Sequence, residues 1–485
     1  MSQNAGTNAT SLKGSFGQRA TGTAFLVVSL AVLVMSCIGP LALGHDLQRV
    51  GQLLIGVFAL ICLVPGPSAG PAWYCEGQTR LIAGLVVLVG IVSALRATQP
   101  LWALTEIALL ICSVCIASAV AQERLRRGVA LDCWLMVFVM ALCALKAGQF
   151  LLATVHAFGD TRQGLNTDVL LEGFSNKRFY GQFQTLTLPL LALPLLLIGG
   201  RRSIKVVAFA LLALWWLVAV SGGTRGTWLG LAVAAFVMCV LGRNGRRWLG
   251  WQVGTALVGG MLFWLVFQVL TDYLGIRVQN FAGDRLNSSL SLREIIWQLA
   301  WDMIRERPWL GFGPMHFADI ANPIAAHPHQ AVLQWASEWG VPSALCVAWL
   351  VLRGLFATIR LIREKADSQE PADLLRLCLF ASLVGALTQS MVDGVIVMPY
   401  SQLWLALVVG WLLGLHRWRT EPAAVGSALR WSGRFVSMAA VALLVWVVIR
   451  DVPNLPTRDE AFARDFGGHF QPRFWAQGVI AQKHP

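Results

Sequence analysis

Four arginines lie in segments between long apolar runs, where their guanidinium groups could bind a phosphorylated ligand. They are Arg178, Arg225, Arg285 and Arg293. A guanidinium group stays charged and presents a planar fork of donors that matches phosphate oxygens. An arginine near a membrane is costly, so it usually has a partner or a function. The four residues predict a pyrophosphate clamp; the alternative is that they pair with nearby carboxylates or lipid head groups.

Two histidines, His327 and His329, flank one proline just before an apolar run. A histidine at such a boundary is well placed to act as a general base, because its pKa lies near working pH. Either histidine could take that role, and the sequence leaves the division between them open; His327 is also counted among the candidate substrate-binding residues. No HExxH or carboxylate–histidine pattern follows, so we expect no metal.

Asp393 lies at the end of another apolar run, in the sequence Met-Val-Asp-Gly-Val. Its carboxylate could orient a histidine or a sugar hydroxyl in a ligand. It could equally cap a loop, and the sequence alone does not choose between these roles. We include Asp393 among the candidate substrate-binding residues.

The composition shows what kind of scaffold must position these residues. Of the 485 residues, 56% are hydrophobic and only 13% are charged, and the mean hydropathy is +0.63. A soluble domain has about 25% charged residues, and a helix needs about 20 apolar residues to cross a bilayer. The chain is therefore predicted to be an all-α polytopic membrane protein surrounded by membrane lipids.

Clusters of basic residues predict the orientation of the helices. The formal net charge is +13, which in a soluble protein would suggest nucleic acid. Here the basic residues cluster in alternate loops, as cytoplasmic loops do, and no nucleic-acid-binding motif accompanies them. The pattern predicts a bundle of 12–13 transmembrane helices at 23–43, 47–64, 80–96, 100–120, 129–154, 183–199, 205–221, 227–242, 250–270, 332–358, 376–392, 402–416 and 434–450.

These helices divide the chain into five parts. Residues 1–22 form a cytoplasmic tail, 23–270 carry helices one to nine, 271–331 form a large outer loop, 332–450 carry the remaining helices, and 451–485 form an outer tail. Connections as long as 271–331 are usually functional or disordered. Its tryptophans predict that it folds, with a helix at 291–306, and the helices themselves are expected to be nearly free of charge.

A larger pattern resembles a known family. The stretch from Arg293 through Arg-Pro-Trp-Leu-Gly-Phe-Gly to His329-Gln330-(x)9-Gly340 resembles the core of the superfamily of O-antigen ligases, Wzy polymerases and protein O-oligosaccharyltransferases. The ligases carry His-[Asn/Ser/Gln]-(x)9-Gly-x-x-[Gly/Thr/Tyr], from which Ser343 departs at the last position. The likeness covers roughly residues 170–415 and includes the segments around Arg178 and Arg225.

The resemblance implies a glycosyltransferase of the bacterial inner membrane whose outer loop is periplasmic and catalytic. The donor would be a glycan linked to undecaprenyl pyrophosphate. Arg225 and Arg293, assisted by Arg178, would neutralise the pyrophosphate leaving group. His329 would take the proton from an acceptor hydroxyl, with inversion at the anomeric carbon and without a metal or other cofactor.

Several functions remain open at this stage. The His329-Gln330 motif favours ligation of O-antigen to lipid A–core. The outer tail 451–485 fits transfer to a protein serine or threonine, as in pilin glycosylation, and chain polymerisation is a third possibility. A lipid or polysaccharide transporter is the alternative from another class, but it would place charges or helix breaks at mid-bilayer.

Overall fold

The computed structural model describes residues 4–38, 44–63, 77–159, 165–279, 292–320, 324–416, 426–466 and 470–480. Within these ranges the chain is almost entirely helical, with one two-stranded sheet. The first half contains the helices α1 Asn4–Ile38, α2 Gly44–Leu63, α3 Gly77–Leu95, α4 Pro100–Arg127, α5 Val129–Gly159, α6 Thr167–Leu170, α7 Lys177–Leu191, α8 Leu193–Leu196, α9 Arg202–Gly222 and α10 Arg225–Val240.

The second half contains α11 Arg243–Trp264, which continues through a π-helical turn into α12 Thr271–Leu274. The helices that follow are α13 Arg293–Glu306, α14 Ala331–Trp339, α15 Val341–Glu364, α16 Pro371–Gln389, α17 Pro399–Leu415, α18 Ser427–Asp451 and α19 Leu455–Phe466. The predicted outer helix at 291–306 corresponds to α13.

The described residues contain ten helical stretches long and apolar enough to cross a membrane. They are Arg19–Ile38, Gly44–Leu63, Gly77–Leu95, Pro100–Arg127, Val129–Gly159, Arg202–Gly222, Arg243–Leu274, Val341–Glu364, Pro371–Gln389 and Ser427–Asp465. Two shorter apolar helices, α10 and α17, match two further predicted spans. The prediction of an all-α polytopic membrane protein is confirmed.

Two predicted spans are interrupted. The span predicted at 183–199 is two helices in the structure. Helix α7 begins earlier, at Lys177, and ends before Ala192, and α8 then begins with Pro194 as its second residue. A proline has no N–H to continue the backbone ladder, which explains the break. The predicted helix 332–358 is instead α14 and α15, separated at Gly340, whose φ of 83° is not helical.

The helices differ in how much surface they bury. Helix α7 is buried from Tyr180 to Leu191 and packs against α5, α9, α10, α16 and α17. Helix α15 buries little of its length, and apolar side chains such as Leu345 and Phe356 are exposed. Exposed apolar residues on such a helix suit contact with lipid chains.

The expectation that the spans are nearly free of charge is wrong, as the buried cations Lys146 and Arg49 show. Lys146 of α5 donates hydrogen bonds to the carbonyl oxygens of Cys37, at 2.9 Å, and Glu172, at 2.8 Å. Arg49 of α2 is also buried and donates to the carbonyl oxygen of Val397 at 2.9 Å. Both cations are tolerated because backbone carbonyls of other segments satisfy them.

The segments between spans are joined to one another. Strand β1, Leu165–Asn166, pairs in parallel with β2, Val278–Gln279, so the segment before α7 contacts the one after α12. Further along, the backbone around Gly311 meets the break between α14 and α15. Gly311 and Gly340 have φ values of 67° and 83°, and a Cβ on Gly311 would lie 2.5 Å from the carbonyl carbon of Glu338.

Candidate active site

His329 stands just before α14 in a backbone conformation that few side chains adopt. Its φ is 54°, and such conformations persist only where the surroundings enforce them. The His329 backbone N–H donates to Nδ1 of His327 at 3.2 Å. The Trp297 indole N–H of α13 donates to the carbonyl oxygen of Pro328 at 3.0 Å. Helix α13 therefore helps to hold the His-Pro-His segment.

Asp393 lies beside His329, on the loop between α16 and α17. Oδ1 of Asp393 is 3.9 Å from Nδ1 of His329. The same Oδ1 accepts a hydrogen bond from the Gly394 N–H at 2.8 Å, and Oδ2 accepts one from the Gln389 amide at 3.3 Å. His327 packs behind this pair, since a Cβ on Gly394 would lie 2.6 Å from Cε1 of His327.

Three of the predicted arginines occupy the first turns of helices. Arg178 is the second residue of α7, and Arg225 and Arg293 are the first residues of α10 and α13. A helix N-terminus carries partial positive charge and unpaired N–H groups, both of which favour anions. The charges of Arg178 and Arg225 both act on Arg293. The three cations therefore share one region.

Close packing brings the arginine helices to Asp393. Gly181, one turn into α7, faces the hydroxyl oxygens of Thr224 and Thr227 at the start of α10, where a Cβ would not fit. The Thr227 hydroxyl accepts a hydrogen bond from the Gln389 amide at 3.4 Å. Because Gln389 also donates to Asp393, the contacts run from the arginines to the histidine–aspartate pair.

The surroundings shift the pKa values of His329, Asp393 and Arg293. Burial, together with the charges of Arg178 and Arg293, lowers the pKa of His329 to about 3. Burial also raises the pKa of the Asp393 carboxyl, against the Gly394 hydrogen bond and the nearby arginines. Burial and the charge of Arg178 lower the pKa of Arg293. His329 is consequently a neutral imidazole at neutral pH, able to accept a proton.

Some polar atoms in this region have no hydrogen-bond partner within the described part of the chain. They include Nε of Arg293, Nδ1 of His329 and Oε1 of Gln389. Buried polar atoms are normally satisfied, so a polar group of a bound ligand suits this site. Among the described residues, no three His, Cys, Asp or Glu side chains are grouped to hold a metal ion.

The structure brings together six of the seven residues that the sequence singled out. His327, His329, Asp393, Arg178, Arg225 and Arg293 surround one region. Arg285 falls in 280–291, outside the described residues. Trp297, Thr227 and Gln389 support the site, but the sequence marked Trp297 only as a packing residue and did not single out the other two. A glutamine inside an apolar run was the one signal available for Gln389.

One segment of the chain resembles a known family. Residues 207–348 match the Wzy_C family model, described as O-antigen ligase. The match includes Arg225, Arg293, His327 and His329, whereas Arg178 and Asp393 lie outside it. No curated protein matched the chain. The match supports glycan transfer of the ligase or polymerase type, and it confirms the resemblance found in the sequence. Residues 207–348 of this multi-pass membrane protein are therefore similar to the O-antigen ligase family.

Proposed function

We propose that the protein transfers a glycan from undecaprenyl pyrophosphate to an acceptor hydroxyl on the periplasmic side of the bacterial inner membrane. The observation that supports this most strongly is the placement of Arg178, Arg225 and Arg293 at helix starts around the His329–Asp393 pair. Cations at helix N-termini suit a diphosphate, and an adjacent imidazole suits activation of a hydroxyl.

The reaction is a single displacement at the anomeric carbon. His329 accepts the proton of the acceptor hydroxyl, whose oxygen forms a bond to the anomeric carbon. The bond from that carbon to the pyrophosphate oxygen breaks, and undecaprenyl pyrophosphate leaves with the electron pair. One displacement inverts the anomeric configuration. Asp393 stabilises the imidazolium that forms, and His327 holds the His329 backbone.

The arginines stabilise the charge that develops on the leaving group. Electrostatic stabilisation of this kind is usually the largest catalytic contribution, and loss of one donor costs on the order of a hundredfold or more in rate. Here the guanidinium groups would supply it without a metal ion. Arg225 and Arg293 are the principal ligands and Arg178 assists.

Donor binding would also strengthen the base. The charges of Arg178 and Arg293 are among the causes that lower the pKa of His329. A bound pyrophosphate would offset those charges, so the pKa of the imidazole would rise when the donor is in place. His329 would then become a better base when the donor is in place.

For the acceptor we propose lipid A–core, on the motif His329-Gln330-(x)9-Gly340. The test is a transfer assay with the purified full-length protein, a lipid-linked glycan and either lipid A–core or a pilin. Product on lipid A–core supports ligation. Product on pilin alone shows a protein acceptor, a lengthened lipid-linked glycan shows polymerisation, and no product with any acceptor favours a transporter.

The site itself is tested in the same assay. His329→Ala and Arg293→Ala should abolish or strongly reduce product at normal protein abundance. Arg305→Ala is the matched control, because Arg305 lies on the same helix as Arg293 but is exposed and stacks on Trp301. Normal transfer by His329→Ala would remove this histidine from the mechanism.

A further inference from the structure

Residues 470–480, here called the C-terminal strap, contain a buried arginine, Arg473, that contacts α4 and α14. The Arg473 side chain is 1% exposed, and its Nη2 lies 2.7 Å from Oε2 of Glu338 and 3.3 Å from Oε1 of Glu106. When the Gln334 amide is oriented so that both its oxygen and its nitrogen have partners, its oxygen accepts a hydrogen bond from Nη1 of Arg473 at 2.7 Å. Arg473 thus joins α4 to two turns of α14.

Backbone contacts hold the strap on either side of this arginine. Arg49 of α2 donates to the carbonyl oxygens of Arg473, at 3.0 Å, and Phe474, at 3.1 Å. The same guanidinium donates to the carbonyl oxygen of Val397, four residues beyond Asp393. The Ile480 N–H donates to the Ala318 carbonyl oxygen at 3.1 Å. Arg49 therefore joins the strap to the segment that follows Asp393, while Arg473 joins it to the helix that follows His329.

Glu338 is the point where these elements meet. It is fully buried, and its Oε1 accepts a hydrogen bond from the Phe317 N–H at 3.1 Å. Its own carbonyl oxygen accepts one from the Gly313 N–H at 3.0 Å. Helix α14, which carries Glu338, begins two residues after His329. A shift of Glu338 would therefore move the helix that follows the proposed base.

We propose that Arg473 is a positioning residue for glycan transfer, which acts by pairing with Glu338 and so holding His329 opposite Asp393. This inference rests on the proposed function. Removing one partner of a buried ion pair leaves an uncompensated charge and displaces its neighbours. A displacement of about 1 Å at reacting groups can cost on the order of a hundredfold in rate.

The test is a transfer assay on the full-length protein in membranes with lipid-linked glycan as donor. Arg473→Gln and Glu338→Gln should each lower kcat on the order of a hundredfold, with the KM for the donor changed less than about twofold, because the arginine clamp is untouched. The kcat of the double variant should be no lower than that of the slower single variant, since the two residues act as a unit. Arg473→Lys, which keeps the charge, should recover part of the rate.

Arg464→Gln is the matched control, because Arg464 is 77% exposed and pairs only with the neighbouring Asp465 among the described residues. If Arg473→Gln does not fold, Glu338→Gln provides the same test with an isosteric change. Rates equal to that of the control, or losses that multiply in the double variant, would overturn the inference. Absence of product from the unaltered protein would instead count against the proposed function.

Discussion

Nδ1 of His329 lies 3.9 Å from Oδ1 of Asp393, beyond hydrogen-bond length but within ion-pair range. Asp393 comes from the loop after α16, and His329 comes from the loop before α14. The pair therefore assembles only when these two segments pack together. In this arrangement a proton gained by the imidazole would be stabilised by a carboxylate that other groups already hold in place.

Replacing Asp393 with asparagine tests the role of that carboxylate. The amide keeps the size of the side chain and can still accept from the Gly394 N–H, but it removes the negative charge. We expect kcat to fall about a hundredfold, with little change in the KM for the donor. Asp302→Asn, at an exposed position on α13, is the control. Equal rates for both variants would show that Asp393 only caps its loop.

Arg293→Lys tests whether the guanidinium fork is needed or only its charge. Lysine keeps the charge, but its ammonium group is a compact point charge rather than a planar fork of hydrogen-bond donors. We expect Arg293→Ala to lose on the order of a hundredfold or more in kcat and Arg293→Lys to recover only part of it. Steady-state kinetics with lipid-linked donor measures both. Full activity with lysine would argue against two-point recognition of the pyrophosphate.

Trp297→Phe removes the hydrogen bond to the Pro328 carbonyl oxygen and keeps an aromatic ring. The backbone at His329 has a positive φ and depends on such contacts. We expect kcat to fall about tenfold, since a small misplacement of the base slows the reaction. Trp301→Phe, on the exposed side of the same helix, should leave the rate unchanged. A comparable loss in both variants would mean a general effect on α13.

The dependence of the rate on pH should come from Glu338 rather than His329. With a pKa of about 3, His329 stays unprotonated in the free enzyme at pH values near neutral. Burial is the main cause that raises the pKa of Glu338 to about 7, while Arg473 lowers it and Glu106 raises it. As the pH falls below about 7, Glu338 gains a proton and its pairing with Arg473 weakens.

We therefore expect the rate of the unaltered protein, measured at limiting donor, to fall below about pH 7. The rate of Glu338→Gln, although lower, should vary little over the same range. A rate profile with the same midpoint in Glu338→Gln would identify another titrating group. Measuring thermal unfolding at each pH separates a change in rate from loss of folded protein.

Gly181→Ala should disturb the contact between α7 and α10. An added methyl group would meet the hydroxyls of Thr224 and Thr227, and overpacking of this kind costs about 1–3 kcal/mol. We expect a lower unfolding temperature and lower activity, because Arg178 and Arg225 flank this contact. Gly250→Ala, a helical position with open space around it, should be neutral or slightly stabilising. An unfolding temperature equal to that of the control would show that the helices can separate without cost.

The sequence predicts much of this site because its signals are local. Long apolar runs between basic clusters indicate the spans, and arginines in the loops without such clusters indicate the proposed clamp. The short motif from His329 to Gly340 indicates the proposed base. Each signal lies within a few residues of the feature it predicts. Arg178, Arg225, Arg293, His329 and the helical class therefore follow without any knowledge of packing.

The supporting residues could not be found in this way, because their partners are distant in the chain. Arg473 pairs with Glu338, 135 residues away, and Gln389 with Thr227, 162 residues away. Nothing in the local sequence distinguishes a tail arginine that is buried from one that is solvated. The break at Gly340 was also missed, because the apolar pattern continues through it and only contact with the 308–313 segment requires it.

That contact limits how the protein can change. Gly311 and Gly340 approach so closely that a Cβ on Gly340 would meet the Trp309 carbonyl oxygen, and both have positive φ. A clash between two side chains can be relieved by shrinking one of them, but here an added Cβ would meet main-chain atoms, which every residue carries. No second substitution can compensate for the loss of either glycine, so a random mutational library should recover active clones with glycine alone at each of these two positions.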